Sequence, residues 1–210
     1  MSRLKVCGIN DAAFAVEAAR RGVDYLGLVF AERSPRRVTP EEAREIVVAV
    51  RGALSSSSDA GSLRPLRFVG VFTTVDIREI LEVAGFVGLD VVQLHGRGYS
   101  AEDVAALKSR GFEVWLLHGR ESDAGQYADA VLLDGRDGAR SGGTGKCADW
   151  SLVAPLKAAG RRVVLAGGIS SGNIAGAMAT GADVVDVNSS LETSPGRKSI
   201  ALLDELLGVL

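Results

Sequence analysis

Short apolar runs rich in Val, Leu and Phe recur along the chain, and a helix-like amphipathic stretch follows each of them. The runs Leu4 to Ile9, Tyr25 to Phe30, Phe68 to Phe72, Val91 to His95, Val114 to His118, Ala130 to Asp134, Val163 to Gly167 and Ala182 to Val187 predict eight strands. They are continuous rather than alternating, so both faces of each strand are expected to be buried, as in a parallel sheet covered by helices. Between the strands, Asp11 to Arg21 carries Ala12, Val16, Ala19 and Val23 at roughly helical spacing. A second helix is expected over Pro40 to Val50, with Thr39 as N-cap, Pro40 at the first helical position and Glu42 completing a capping box. Repeated β-then-α units point to an α/β fold, a (β/α)8 barrel occupying residues 1–210 as one domain. An open doubly wound sheet is the competing topology, because periodicity alone does not show closure.

One stretch breaks the rhythm. Gly52 to Pro65, with SSSSDAGS inside it, has the composition of a flexible loop and is expected to join the second helix to the third strand. In a barrel that junction lies at the N-terminal end of the strands, away from chemistry. The composition does not change where the alternation resumes at Phe68, which argues against a domain linker.

Charge and cysteine content narrow the function classes. With 24 Lys plus Arg against 26 Asp plus Glu among 210 residues, there is no global basic field for nucleic acid or anionic membrane. An anionic ligand must therefore be held by local features. The two cysteines, Cys7 and Cys147, form neither a CxxC nor a Cys/His cluster, so neither a disulfide framework nor a zinc site is expected. The absence of a signal-like N-terminal stretch and of any membrane-length apolar run leads to the expectation of a soluble, cytoplasmic protein.

In parallel α/β folds the ligand site lies at the C-terminal ends of the strands, and here those ends are polar. Cys7 ends the first candidate strand and Arg36 follows the second. His95 ends the fourth, Asp134 the sixth, Gly167 and Gly168 the seventh, and Asp186 and Asn188 the eighth. A strand cysteine is most often a small buried hydrophobe. Strand periodicity, however, puts Lys5 on the face of Cys7, where its ammonium is expected to lower the thiol pKa and favour a general base or nucleophile. Asp134 ends an otherwise apolar run; it either caps the following loop or serves as a general acid paired with that base. Arg36 is read as a clamp for a substrate carboxylate, against the alternative of a solvated pair with Arg37. Cys147 has no comparable support and is read as structural or incidental.

Phosphate needs backbone N–H donors, and glycines allow its close approach. LAGGI after the seventh strand and VDVNSS after the eighth supply the pieces, Gly167, Gly168, Asn188 and Ser189, with a helix expected to start at Ser170 or Ser171. Barrel enzymes often bind phosphate between these loops. Three decoys are set aside. ARSGGTGKC lacks two required positions of a Walker A loop, and Asn188-Ser189-Ser190 is a sequon without secretion. His95 and His118 have no second ligand at metal spacing, so no metal is expected and His95 is read as lining the site.

Together, KVCGI at Lys5 to Ile9, GLVFAERSPRRV at Gly27 to Val38, VGVF, VQLHG, LLDG with SGGTGK and DW, LAGGI, and VDVNSSLE with PGRKS resemble the phosphoribosylanthranilate isomerase family over nearly the whole chain. The resemblance implies a (β/α)8 barrel and an Amadori rearrangement on the route to tryptophan, with no cofactor or metal. It implies a phosphorylated small-molecule substrate, and a monomer or homodimer. It places the general base at Cys7 and the general acid at Asp134. It puts the anthranilate carboxylate at Arg36, a substrate-contacting carboxylate at Asp186, and the phosphate loops at Gly168 and Asn188. The chain departs from the family pattern at Ser190, where Gly is common, at KCADW, and in the basic RDGAR segment. Indole-glycerol-phosphate synthase and sugar-phosphate epimerase activities lack the strand-end lysines or metal ligands they would need. A dual-substrate isomerase that also serves histidine synthesis and an inactive phosphate-binding barrel stay open as alternatives.

Overall fold

A computed structural model describes residues 2–55, 65–119, 124–135 and 148–210. Eight parallel strands close into a barrel in sequence order: β1 (Arg3–Cys7), β2 (Tyr25–Val29), β3 (Arg67–Phe72), β4 (Val91–Leu94), β5 (Glu113–Leu117), β6 (Ala130–Leu133), β7 (Val163–Leu165) and β8 (Val184–Val187). Closure is completed by β1 pairing with β8, Lys5 standing opposite Asp186 and Val6 opposite Val187. The barrel topology therefore holds and the open sheet is excluded.

The helices are α1 (Ala12–Arg20), α2 (Pro40–Ser55), α3 (Ile77–Val87), α4 (Ala101–Ser109), α5 (Ala124–Tyr127), α6 (Val153–Ala158), α7 (Ile174–Ala179) and α8 (Ile200–Leu207). Local chemistry sets their starts. Asp11 caps α1 by accepting from the N–H groups of Ala13 and Phe14. The expected box at α2 is formed: Thr39 N–H donates to Glu42 Oε2 at 2.8 Å and Glu42 N–H to Thr39 Oγ1 at 3.2 Å. This helix runs five residues past its expected end at Val50. Leu54 continues the spacing of Val47 and Val50 and packs against the core, so Gly52 to Ser55 are helical and not loop. Residues 56–64 of the serine-rich stretch lie outside the described residues.

The strands bury two kinds of surface. Val6, Leu26, Leu28, Phe68, Val92, Leu94, Val114, Leu116 and Val185 face outward onto the helices as one core. Tyr25, Val69, Val91, Trp115, Leu117, Leu132, Val164 and Val184 fill the barrel interior. At the N-terminal end of the barrel, Glu113 accepts from Trp115 Nε1 at 2.6 Å and Arg162 Nη1 at 2.7 Å and pairs with Arg67. The opposite end, where the strands finish, carries the chemistry. After β8 the chain makes a single 3₁₀ turn at Ser189–Leu191 and an antiparallel hairpin of β9 (Glu192–Ser194) and β10 (Arg197–Lys198).

Candidate active site

The period of two along β1 sends Lys5 and Cys7 into the barrel, and both are buried. Room for the thiol comes from β2: Gly27 pairs with Cys7, and a methyl group at Gly27 would come within 2.8 Å of Cys7 Sγ. Gly8 then turns the chain with φ +75°. A side chain there would strike Arg36 Cδ at 2.6 Å and Asn188 Oδ1 at 2.8 Å. Cys7 thus lies where the loops after β1, β2 and β8 converge.

Below the thiol, Lys5 Nζ donates to Asp186 Oδ2 at 2.6 Å and to Gln93 Oε1 at 3.0 Å. Burial disfavours the ammonium, but the Asp186 carboxylate more than offsets this and holds the Lys5 pKa above its ordinary value. The expected pull of Lys5 on the Cys7 thiol is present, but it does not prevail. Burial pushes the thiol above its ordinary pKa; Lys5 pulls it down, as the sequence suggested, and Asp186 pushes it up again. The physical reason is that burial of the thiol outweighs the pull of the ammonium, and Asp186, which pairs with that ammonium, adds to the push.

Asp186 stands at the layer of Lys5, and its Oδ1 has no hydrogen-bond partner among the described residues. A buried carboxylate oxygen in that state is an acceptor awaiting a donor. Asp134 immediately follows β6, and its Oδ2 lies 3.5 Å from His95 Nε2. Gly167, at φ +86°, allows the end of β7 to press against it: a Cβ there would sit 2.8 Å from Asp134 Oδ1 and would collide with the Gly135 backbone nitrogen. Gln93 Nε2 lies 3.4 Å from His95 Nδ1, so side chains from β8, β1, β4 and β6 form one chain across the barrel mouth.

Arg36 reaches this rim from the segment after β2 and is gripped by Glu192. Nε and Nη2 donate to the two carboxylate oxygens, each at 2.7 Å. The fork occupies one edge of the guanidinium and aims the rest. Lys198 Nζ, with its side chain almost fully buried, donates to Asn188 O at 2.9 Å, Asn188 Oδ1 at 2.8 Å and Glu192 Oε1 at 2.9 Å. Burial alone would raise the Glu192 carboxyl, but Arg36 and Lys198 hold it down at about 2. Lys198 itself is pushed below its ordinary value by burial, against the pull of Glu192.

The two glycine-bearing loops meet beside this cluster. Gly167 and Gly168 both have positive φ. Asn173 ties the loop by donating to Gly168 O at 2.9 Å and accepting from Ser170 N–H at 2.8 Å. The helix expected at Ser170 or Ser171 therefore begins only at Ile174, because the turn held by Asn173 precedes it. Ser190 Oγ donates to Ile169 O at 2.7 Å, so the residue that departs from the family pattern laces the β7 and β8 loops together. Ser189 opens the 3₁₀ turn directly after Asn188.

The structure thus brings Cys7, Arg36, His95, Asp134, Gly167, Gly168, Asp186, Asn188 and Ser189 to one end of the barrel. Gln93, Glu192 and Lys198 complete the cluster and were missed as site residues. Gln93 carried a signal, since it lies two residues before His95 on the same strand face; Glu192 and Lys198 could be placed only by folding the loop. No group of three potential metal ligands occurs among the described residues, and no helix there is long and apolar enough to cross a membrane. Cys147 and the SGGTGK segment lie outside the described residues.

Comparison with known proteins identifies the family. The model of the N-(5'phosphoribosyl)anthranilate (PRA) isomerase family matches residues 4–208. N-(5'-phosphoribosyl)anthranilate isomerase of Rubrobacter xylanophilus is 40% identical over 208 residues, covering 95% of this chain and 94% of that protein. The crystal structure of phosphoribosyl anthranilate isomerase from Thermus thermophilus superposes with a TM-score of 0.79 at 34% identity, over 99% of this chain and 97% of that one. A phosphoribosyl anthranilate isomerase in complex with reduced 1-(o-carboxyphenylamino)-1-deoxyribulose 5-phosphate gives 0.76 at 30% identity, over 99% and 97%. With a family match that spans almost its entire length, this chain belongs to the N-(5'-phosphoribosyl)anthranilate isomerase family.

Proposed function

We propose that this protein converts N-(5'-phosphoribosyl)anthranilate to 1-(2-carboxyphenylamino)-1-deoxyribulose 5-phosphate in tryptophan biosynthesis, with Asp134 as general acid and Cys7 as general base. The observation that carries the reading is the placement of these two groups. They end β6 and β1, three strands apart around a closed barrel, with the inward-facing polar residues strung between them. The related isomerase crystallised with the reduced product analogue supports the substrate class.

In this reading Asp134 donates a proton to the furanose ring oxygen as the C1–O bond breaks, and the anthranilate nitrogen lone pair forms the C1=N bond of a Schiff base. Cys7 thiolate then removes the C2 proton. The released electron pair forms C1=C2 and returns the C=N pair to nitrogen, giving an enolamine that tautomerises to the ketone as C1 gains a proton and the C2 hydroxyl loses one. One proton enters and one leaves, so the product is an isomer of the substrate. Asp186 Oδ1 accepts from a substrate hydroxyl, and the free edge of Arg36 takes the anthranilate carboxylate. Gly167, Gly168, Asn188 and Ser189 hold the phosphate. His95 lines the site beside Asp134.

The test is complementation. A bacterial strain that lacks its own isomerase and requires tryptophan should grow without it when this protein is expressed; failure to grow, with soluble folded protein in the cells, removes the reading.

A further inference from the structure

We propose that Lys5, acting through Gln93, fixes His95 as the neutral imidazole with its proton on Nε2, and so turns a donor toward the carboxyl of Asp134. Lys5 and Gln93 are then positioning residues for the acid, a role that rests on the function proposed above for its catalytic consequence but not for the tautomer itself.

The argument is one of donor and acceptor direction. An ammonium has only N–H groups and cannot accept a hydrogen bond. Lys5 Nζ, fully buried and held by Asp186, lies 3.0 Å from one end of the Gln93 amide. That end must be the carbonyl oxygen; the flipped amide would set NH2 against NH3⁺ in a site closed to water. The other end of the amide, 3.4 Å from His95 Nδ1, is therefore the NH2 group. A ring nitrogen facing an amide donor must present its lone pair, so the single proton of the neutral ring sits on Nε2. Nε2 lies 3.5 Å from Asp134 Oδ2. Both ring contacts are longer than the ~2.9 Å of a fully formed N–H bond, as is common for acid–base pairs before substrate binds.

The consequence for the chemistry is that the donor of His95 falls on Oδ2 of Asp134, so the polar core of the barrel sets how that carboxyl is held. It also explains why three polar side chains, Lys5, Gln93 and Asp186, occupy interior positions that apolar residues could fill.

The measurement is nitrogen-15 NMR of the histidine rings in the intact protein near neutral pH. The chain has two histidines, so one His118→Asn control assigns the spectrum. Wild-type His95 should show the Nε2–H tautomer. Gln93→Glu, which keeps the Lys5 contact but offers His95 an acceptor, should move the ring proton onto Nδ1; Lys5→Met, which frees the amide to turn, should leave a mixture of tautomers. In the isomerase assay Gln93→Glu should lower kcat about tenfold with KM little changed. An Nδ1–H tautomer in the wild type overturns the proposal without any variant, as does a His95 signal unchanged in both folded variants. A shifted tautomer with unaltered kcat overturns the positioning role. Absence of turnover in the wild type with the expected tautomer leaves the histidine assignment standing and rejects the proposed function instead.

Discussion

Lys5 and Cys7 share the inward face of β1, yet the Lys5 ammonium is paired first with Asp186, at 2.6 Å, and its pull on the thiol is outweighed by burial. A cysteine next to a lysine usually reads as an activated thiolate. Here the positive charge is already paired, and burial governs Cys7. The base proposed for the reaction is therefore a thiol in the free enzyme near neutral pH, and it must be deprotonated to act.

A pH profile follows with a definite sign. A thiol with a raised pKa is scarce as thiolate below it, so the ultraviolet thiolate absorbance that separates wild type from Cys7→Ala should be absent at neutrality and should still be growing past the ordinary cysteine value of 9.0. A pH titration of that difference checks this; a thiolate signal complete well below that value would show that Lys5 activates the thiol after all.

Gly27 sets the space in which Cys7 sits. In Gly27→Ala the new methyl would meet Sγ at 2.8 Å and the Cys7 Cα at 3.0 Å. Overpacking of this kind costs about 1–3 kcal/mol, and part of that is relieved by turning the thiol out of place. The variant should melt earlier than wild type and lose more than about tenfold in kcat. Thermal melts and turnover on one preparation measure both effects; full activity would mean that the position of Sγ is not critical.

Arg36 is held by a two-point fork to Glu192, a geometry that a lysine cannot reproduce. Arg36→Lys removes both the fork and the directed donors for a substrate carboxylate. Because such a contact acts on substrate and transition state alike, KM should rise about tenfold or more while kcat changes less. The reverse pattern, a large loss in kcat at constant KM, would place Arg36 in the chemical step.

Glu192 also predicts a window of acid sensitivity. Its carboxyl titrates at about 2 in the folded protein against an ordinary value of 4.5. A depressed folded-state pKa contributes stability that is fully present above the ordinary value and disappears as pH falls through the folded one. The difference in denaturant stability between wild type and Glu192→Gln should therefore shrink as pH is lowered from about 4.5 to about 2. A difference that stays constant across that range would show that the pairing with Arg36 and Lys198 does not hold the charge.

Much of this arrangement was legible in the chain because barrel chemistry follows a simple periodicity. Cys7, His95, Asp134 and Asp186 could be placed at the C-terminal end since a continuous apolar run that ends in a polar residue marks where a buried strand meets the mouth. The capping box at Thr39 and Glu42 fixed the start of α2, but its end was misread because Gly52 and the serines after it look like loop, whereas packing of Leu54 extends the helix. Long-range pairing was not legible. Arg36 and Glu192 are 156 positions apart, and no local pattern ties them. The same is true of Lys5: its position on the face of Cys7 was readable, but its partners Asp186 and Gln93 lie 181 and 88 residues away, and the burial that outweighs its pull on the thiol is a property of the closed barrel. The start of α7 was misplaced because Asn173 stabilises a turn from its side chain, a preference that competes with helix initiation.

The most direct test of the acid–base assignment is turnover of freshly generated N-(5'-phosphoribosyl)anthranilate, followed by loss of anthranilate fluorescence, for wild type, Cys7→Ala and Asp134→Asn. Circular dichroism on the same samples establishes that each is folded. Rapid loss by the wild type and a fall in kcat of about 10²- to 10⁴-fold in each variant is the predicted result; a folded Cys7→Ala or Asp134→Asn protein that turns over at the wild-type rate contradicts it.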